Sequence, residues 1–209
     1  MQDKRKLLSW ADKLRDISAY GQKFTTNFND KENYAKIQEI TLEMIAFATD
    51  TSKIKVKYLS LPYLSRPGPL IGGDGAVINT KGEILLIQRT DNQLWAMPGG
   101  LLEVGETPAE GVVREVVEET GIECQANKLI GIFDSRLWQA SFPFHMYQFL
   151  FLCSPIKNFQ SKTATHQHET LAIDWFEESS LPHQIDPGHI SKIPKAFQVW
   201  KGHQEAYFD

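Results

Sequence analysis

The chain has 209 residues, 42% of them hydrophobic and 23% charged, with a formal net charge of −4 and two cysteines. That is the composition of a globular protein with one large domain, or one domain and a small addition. The acidic balance gives no footprint for duplex nucleic acid, and two cysteines make no disulfide framework. No apolar run approaches the roughly 18 residues that a membrane span needs. Polar residues interrupt the first stretch, Met1–Trp10, too early for a signal peptide. The cytoplasm is the expected compartment.

Residues 3–50 read as helical. Leu7, Trp10, Leu14, Ile17 and Tyr20 follow a three-four spacing that Gly21 is expected to end. Asn29 or Asp30 is the expected cap of a second helix carrying Tyr34, Ile37, Ile40, Leu42, Met44, Ile45 and Phe47. Two amphipathic helices with a short connection form an αα-hairpin, too small to bury a sizeable core alone. It therefore either covers the main domain or dimerises. Its aromatic residues Trp10, Tyr20, Phe24 and Tyr34 are expected in a core. Residues 51–69 read as a linker. There Lys53, Lys55 and Lys57 alternate with Ile54, Val56 and Tyr58, which predicts a short edge strand with solvated lysines before Pro62, Pro67, Gly68 and Pro69.

From Ile71 the pattern turns to β. Gly75–Asn79 and Glu83–Gln88, parted by Thr80-Lys81-Gly82, read as a hairpin. Trp95–Gly100 leads into a loop and a helix. Strands are expected at 126–134, 144–152 and 171–176, the second apolar enough to be central. Cys124 and Cys153 read as small buried hydrophobes in strands. A last helix is expected over about 188–201, kinked or split at Pro194. Mixed strands with one helix inserted and one trailing suggest an α/β sandwich, a sheet between helices.

The chain is organised around Gly100–Ile122. Thr107 is a good N-cap, Pro108 suits the first helical position, Glu110 completes a capping box, and Gly121 is a good stop. The helix between them, 108–120, turns Val112, Val113, Val116, Val117 and Thr120 to one arc and Glu115, Glu118 and Glu119 to another. Three carboxylates at i, i+3 and i+4 repel one another, and if partly buried they resist joint ionisation. A solvated acidic face is the ordinary reading of such a cluster. A Mg²⁺ or Mn²⁺ platform for diphosphate hydrolysis is the sharper one, because hard cations take carboxylate oxygens alongside water and substrate phosphate.

The surroundings favour the second reading. The stretch fits Gly-x5-Glu-x7-Arg-Glu-U-x-Glu-Glu-x-Gly-U, with U a bulky aliphatic, at every fixed position. Chance matching of the seven fixed residues is on the order of 10⁻⁹ per window. This resembles the Nudix box of the Nudix hydrolases. The resemblance implies an α/β/α sandwich with a mixed sheet over residues 70–209. It also implies divalent metals held by Glu115, Glu118 and Glu119 with the backbone carbonyl of Gly99. Glu106 and Arg114 would then be structural, joined as an ion pair that holds the loop to the helix. The general base is Glu115 as first choice. Glu169, just before the strand at 171–176, is the alternative, and it is flanked by His166 and His168. Substrate contacts are expected outside the box, from Arg89, Arg136, Trp138 and Phe142.

The run from Trp10 through Met44 resembles the helical N-terminal domain that precedes some bacterial Nudix domains, among them dimeric CDP-choline pyrophosphatases. That implies a helical domain over residues 1–50 and a homodimer. The segment 133–145, however, lacks the Lys/His/Pro-rich stretch associated with the CDP-choline enzymes. The leading function is a metal-dependent pyrophosphohydrolase for a nucleoside diphosphate linked to X, with X as in a CDP-alcohol or ADP-ribose-like compound. RNA 5′-end processing and a non-catalytic nucleotide sensor are the alternatives. The intact box argues against the sensor.

Overall fold

Asn27 and Ser52, two short polar side chains, cap two of the helices at the N-terminal end of the chain. In the computed structural model, which describes residues 2–138, 144–156 and 169–209, the chain forms two compact units. These are Met1–Leu70 with Phe142–His145, and Ile71–Ser141 with Met146–Asp209.

The first unit holds α1 (Gln2–Phe24), α2 (Phe28–Ala48) and α3 (Lys53–Leu64). Gly21 does not end α1. It is a notch, because a Cβ there would run into the Tyr34 ring of α2. Asn27 caps α2 by accepting from the N–H groups of Asn29 and Asp30, so the two expected caps are the donors instead. The strand expected around the alternating lysines is the helix α3. Ser52 caps it, and Lys53 and Lys57, one turn apart, both reach Glu39 of α2 at 3.1 and 2.7 Å. A spacing of two repeated twice is also a spacing of four, and the cap decides between them. Arg15, fully buried, ties the unit together. It donates to Asp12 at 2.6 Å and to the carbonyls of Tyr63, Arg66 and Gly68, while Asp12 also accepts from the His145 N–H at 2.6 Å.

Contrary to the core placement expected from the sequence, Trp10, Tyr20 and Phe24 are 50, 59 and 61% exposed. Helix periodicity identifies the apolar stripe but not whether this chain covers it.

The second unit contains two sheets. One has the order β4-β1-β6-β5-β8 and the other β3-β2-β7. The strands are β1 (Leu70–Val77), β2 (Glu83–Arg89), β3 (Trp95–Ala96), β4 (Gly99–Leu101), β5 (Cys124–Asp134), β6 (Met146–Pro155), β7 (Thr170–Glu177) and β8 (Tyr207–Phe208). The first sheet is mixed, since β8 runs parallel to β5 while β5 and β6 are antiparallel. β6 lies at its centre, and Cys124 and Cys153 are buried.

The hairpin expected of β1 and β2 does not form a ladder. The two strands belong to different sheets and share one bridge, Ile78↔Ile84. β1 pairs with β4, while β2 is taken by β3 and β7, so the turn at 80–82 passes the chain from one layer to the next.

Helix α4 (Pro108–Thr120) lays Val112 and Val116 on Val77, Leu85, Cys124 and Cys153. α5 (Pro187–Ile190) and α6 (Ile193–Trp200) split the expected last helix. Pro194 falls in the first turn of α6, where its missing N–H costs nothing. α6 buries Ala196, Phe197 and Val199 against Ile84, Ile130, Phe133 and Leu150. Among the described residues no helix is long and apolar enough to cross a membrane.

Both ends of α4 are locally encoded. The Thr107 hydroxyl takes the Glu110 N–H at 3.3 Å, and the Glu110 carboxylate takes the Thr107 N–H at 2.8 Å. Gly121 closes the helix at φ 70°, a left-handed conformation in which a Cβ is strained. Replacing Thr107 by Ala is expected to cost about 1 kcal/mol of unfolding free energy, measured as a lower denaturant midpoint with an unchanged slope.

Candidate active site

The first turn of α4 begins beyond a loop, 102–107, whose geometry depends on one guanidinium. Arg114 grips Glu106 through Nε at 3.0 Å and Nη2 at 2.9 Å. Nη2 also gives to the Leu101 carbonyl at 3.1 Å. Nη1 divides between Glu115 at 2.9 Å and Glu118 at 3.0 Å. All five donors of the fork are thereby used. Glu106 in turn accepts from the Glu103 N–H at 2.5 Å, which closes the loop on itself. Arg114 holds the Glu106 carboxyl below the usual carboxylate range, and Glu106, foremost among its partners, drives the guanidinium further from deprotonation.

The three glutamates of the helix are not equivalent. Glu115 and Glu118 are partly buried and meet Arg114. Glu119 points inward, 7% exposed, and accepts from the Gly99 N–H at 2.9 Å. Burial pushes its carboxyl up to about 8. The Gly99 N–H and the charge of Arg89 oppose the shift, and the negative charges of Glu115 and Glu169 add to it. The Glu115 carboxylate lies against Gly100, where a Cβ would stand 2.6 Å from it. Three helix carboxylates and a glycine strand therefore share one small region.

As they stand, no three His, Cys, Asp or Glu side chains among the described residues are arranged to hold a metal ion. The donor set nevertheless suits a hard divalent cation. It is all oxygen and includes a buried carboxyl whose proton such a cation would displace, with neighbouring carboxylates whose repulsion it would relieve.

The remaining residues singled out from the sequence fall into three groups. Arg89, at the end of β2, pairs with Asp91 at 2.8 and 3.0 Å, and its charge is felt at Glu119. Glu169 stands beside it, because its carbonyl accepts from the Thr90 N–H at 3.0 Å. Arg136 and Trp138 have other partners. Arg136 grips Asp134 at 2.9 and 2.5 Å, and the Trp138 Nε1–H donates to Asp209 at 2.9 Å. Trp138 also meets the rings of Phe133 and Tyr207 edge-on at 5.2 and 5.5 Å. Phe142, His166 and His168 lie outside the described residues.

A buried polar cluster of Asp74, Asp186, His189 and Lys192, with the half-buried Gln148 beside it, escaped the sequence reading. Its one local signal is Asp74, a lone carboxylate in the otherwise apolar and glycine-rich strand 70–77. Asp186 caps α5 and accepts from the Asn92 amide at 3.1 Å. His189 is held below the ordinary imidazole range by burial, and its Nδ1 accepts from the Met97 N–H at 3.3 Å.

Comparison with known proteins places this geometry in context. Residues 73–196 match the family described as the NUDIX domain, and residues 5–59 match one described as a UDP-X-like, N-terminal oligomerisation domain. The chain is 30% identical over 178 residues to YjhB of Bacillus subtilis (strain 168), a protein whose name suggests an ADP-ribose pyrophosphatase. That match spans 85% of this chain and 83% of the relative. Among solved structures, a UDP-X diphosphatase aligns over 99% of both chains with a TM-score of 0.59 and 25% identity. An ADP-ribose pyrophosphatase from Streptococcus suis 89-1591 aligns over 68% of this chain and 100% of its own, with a TM-score of 0.56 and 27% identity.

Arg114→Ala leaves the partly buried Glu106, Glu115 and Glu118 without their shared cation. It is expected to lower stability by on the order of 2 kcal/mol and to open the 102–107 loop, read as new protease cleavage inside that segment. Cleavage unchanged from wild type would show that the guanidinium does not hold the loop.

Proposed function

We propose, from the premise that the chain belongs to the Nudix hydrolase family and is a pyrophosphohydrolase, that it splits the P–O–P bond of a nucleoside diphosphate joined to a second group, of the UDP-X or ADP-ribose type. The products are a nucleoside monophosphate and a phosphorylated X. Full-length similarity to a UDP-X diphosphatase supports the first type, and the Bacillus subtilis and Streptococcus suis relatives support the second.

The observation that carries the reading is the buried Glu119, tied to the Gly99 N–H beside the Glu115 carboxylate. Glu115, Glu118, Glu119 and the Gly99 carbonyl would hold Mg²⁺ or Mn²⁺. Such a cation, when bound, lowers the pKa of water and offsets charge on the diphosphate oxygens. Arg89, a fork matched to phosphate geometry, would bind a substrate phosphate oxygen, with Asp91 holding it until then. Glu115, or Glu169 beside Arg89, would take the proton of the attacking water. Glu106 and Arg114 would keep the loop backbone in register with the helix.

The N-terminal unit supports a homodimer. Trp10, Ile17, Tyr20, Phe24, Phe47 and Tyr58 are all exposed on its three helices, and an exposed apolar surface of that kind marks an association site. The match to an oligomerisation domain over residues 5–59 points the same way.

Hydrolysis is tested with UDP-, CDP- and ADP-linked compounds and 5′-triphosphate RNA, with Mg²⁺ or Mn²⁺, the products resolved by mass. A nucleoside monophosphate plus phospho-X is expected. Glu119→Gln should lose about 100-fold or more, the rate equivalent of a few kcal/mol of charge stabilisation. Equal turnover by Glu119→Gln, or turnover of the RNA alone, would sink the proposal. Sedimentation should give about twice the 23.8 kDa chain mass, falling to one chain in Phe47→Glu/Tyr58→Glu. A wild-type monomer would remove the dimer.

A further inference from the structure

Behind the Gly99–Gly100 strand lies a buried ionic cluster that the hydrolysis just described does not use. Asp74 sits on β1 in register with Gly99 and is 5% exposed. Lys192, in the turn between α5 and α6, is 0% exposed. The Lys192 ammonium donates to Gln148 Oε1 at 2.7 Å and stands 3.7 Å from Asp74 Oδ2, while the Gln148 amide approaches the same oxygen at 3.5 Å. Two side chains from distant elements thus draw on one carboxylate oxygen. The other oxygen faces the glycine, since a Cβ at residue 99 would lie 2.7 Å from Asp74 Oδ1. On its other side the Gly99 N–H is held by Glu119 at 2.9 Å, and the preceding Pro98 carbonyl accepts from the Gly75 N–H at 2.8 Å.

A buried ion pair is a weak source of stability, because desolvation cancels much of its attraction and apolar side chains of the same volume often serve better. Burial draws the Lys192 ammonium below the ordinary lysine range, with Asp74 opposing the shift. What the pair does achieve is geometric. It places one carboxylate beside a peptide that has no side chain of its own, next to the Gly73 carbonyl, which a Cβ at residue 99 would meet at 2.3 Å.

We propose that Asp74, held by Lys192 and Gln148, is a positioning residue for the metal site: its carboxylate wedges the Gly99 peptide against Glu119 and so sets the direction of the Gly99 carbonyl. The inference rests on the reading of Gly99 as a backbone ligand. Groups one contact removed from a metal change its affinity by about 10- to 100-fold when deleted.

The test is Mn²⁺ binding by electron paramagnetic resonance of the free ion, without substrate, alongside denaturant midpoints. Asp74→Ala/Lys192→Met deletes the wedge together with the ammonium that faces it. Asp74→Asn/Lys192→Met keeps the wedge's shape without its charge. The Ala variant is expected to bind Mn²⁺ about 10- to 100-fold more weakly, and the Asn variant to recover most of that loss at a similar midpoint. Wild-type affinity in the Ala variant, or no recovery in the Asn variant, overturns the proposal. Should the Ala variant not fold, Asp74→Ser/Lys192→Met shortens the wedge while keeping a polar side chain. Weaker Mn²⁺ binding is then expected, and wild-type affinity overturns the wedge. If wild-type protein binds no Mn²⁺ and Glu119→Gln changes nothing, the metal reading fails and the inference falls with it.

Discussion

A side chain at residue 99 would stand 2.7 Å from Asp74 Oδ1, and one at residue 100 would stand 2.6 Å from the Glu115 carboxyl. Real Cβ atoms do not approach that closely, so the site exists only because β4 is bare at both positions. The bare strand lets β1 press a carboxylate onto it from one side and α4 press two onto it from the other. The arrangement follows from close approach rather than from unusual dihedrals, since neither glycine adopts a positive φ.

Around that strand the charges are sorted by burial. Arg114 faces Glu106, Glu115 and Glu118, which its five donors can satisfy at once. Glu119 lies on the inner side, where it has a backbone N–H and a distant Arg89 in place of a direct cation. Two carboxylates of the helix are thus hydrogen-bonded by Arg114, and the third is pushed toward its protonated form. Arg89 and Glu169 arrive from the other sheet because β2 and β7 pair across Arg89 and Thr170. The proposed chemistry therefore draws on both sheets, and the passage of the chain between them at 80–82 makes this possible.

The N-terminal unit follows the opposite logic. Its interior is tied by Arg15, which adds hydrogen bonds to three carbonyls and Asp12 to a small apolar core. Trp10, Tyr20, Phe24, Phe47 and Tyr58 are turned outward instead. A small helical unit of this kind has little apolar area to bury within itself, and a second copy of the same surface would supply what it lacks.

Some of this was legible in the sequence because it depends on interactions only a few residues long. Thr107, Glu110 and Gly121 set the ends of α4. The spacing of Glu115, Glu118 and Glu119 put them on one arc, and the apolar run of β6 marked the central strand. Other features needed the fold. Lysines spaced by two fit a strand or a helix until Ser52 and the glutamates of α2 chose between them. The turn at 80–82 resembled a hairpin until other strands took the edges of β1 and β2. Nothing near residue 74 predicts that its carboxylate meets Lys192, 118 positions later. The sequence by itself determined the helix, its caps and its row of carboxylates, since capping and periodicity act within one turn. Tertiary structure alone decided which carboxylate is buried, which strand is squeezed and which lysine stands behind it, because desolvation and close packing depend on neighbours that the chain brings in from far away.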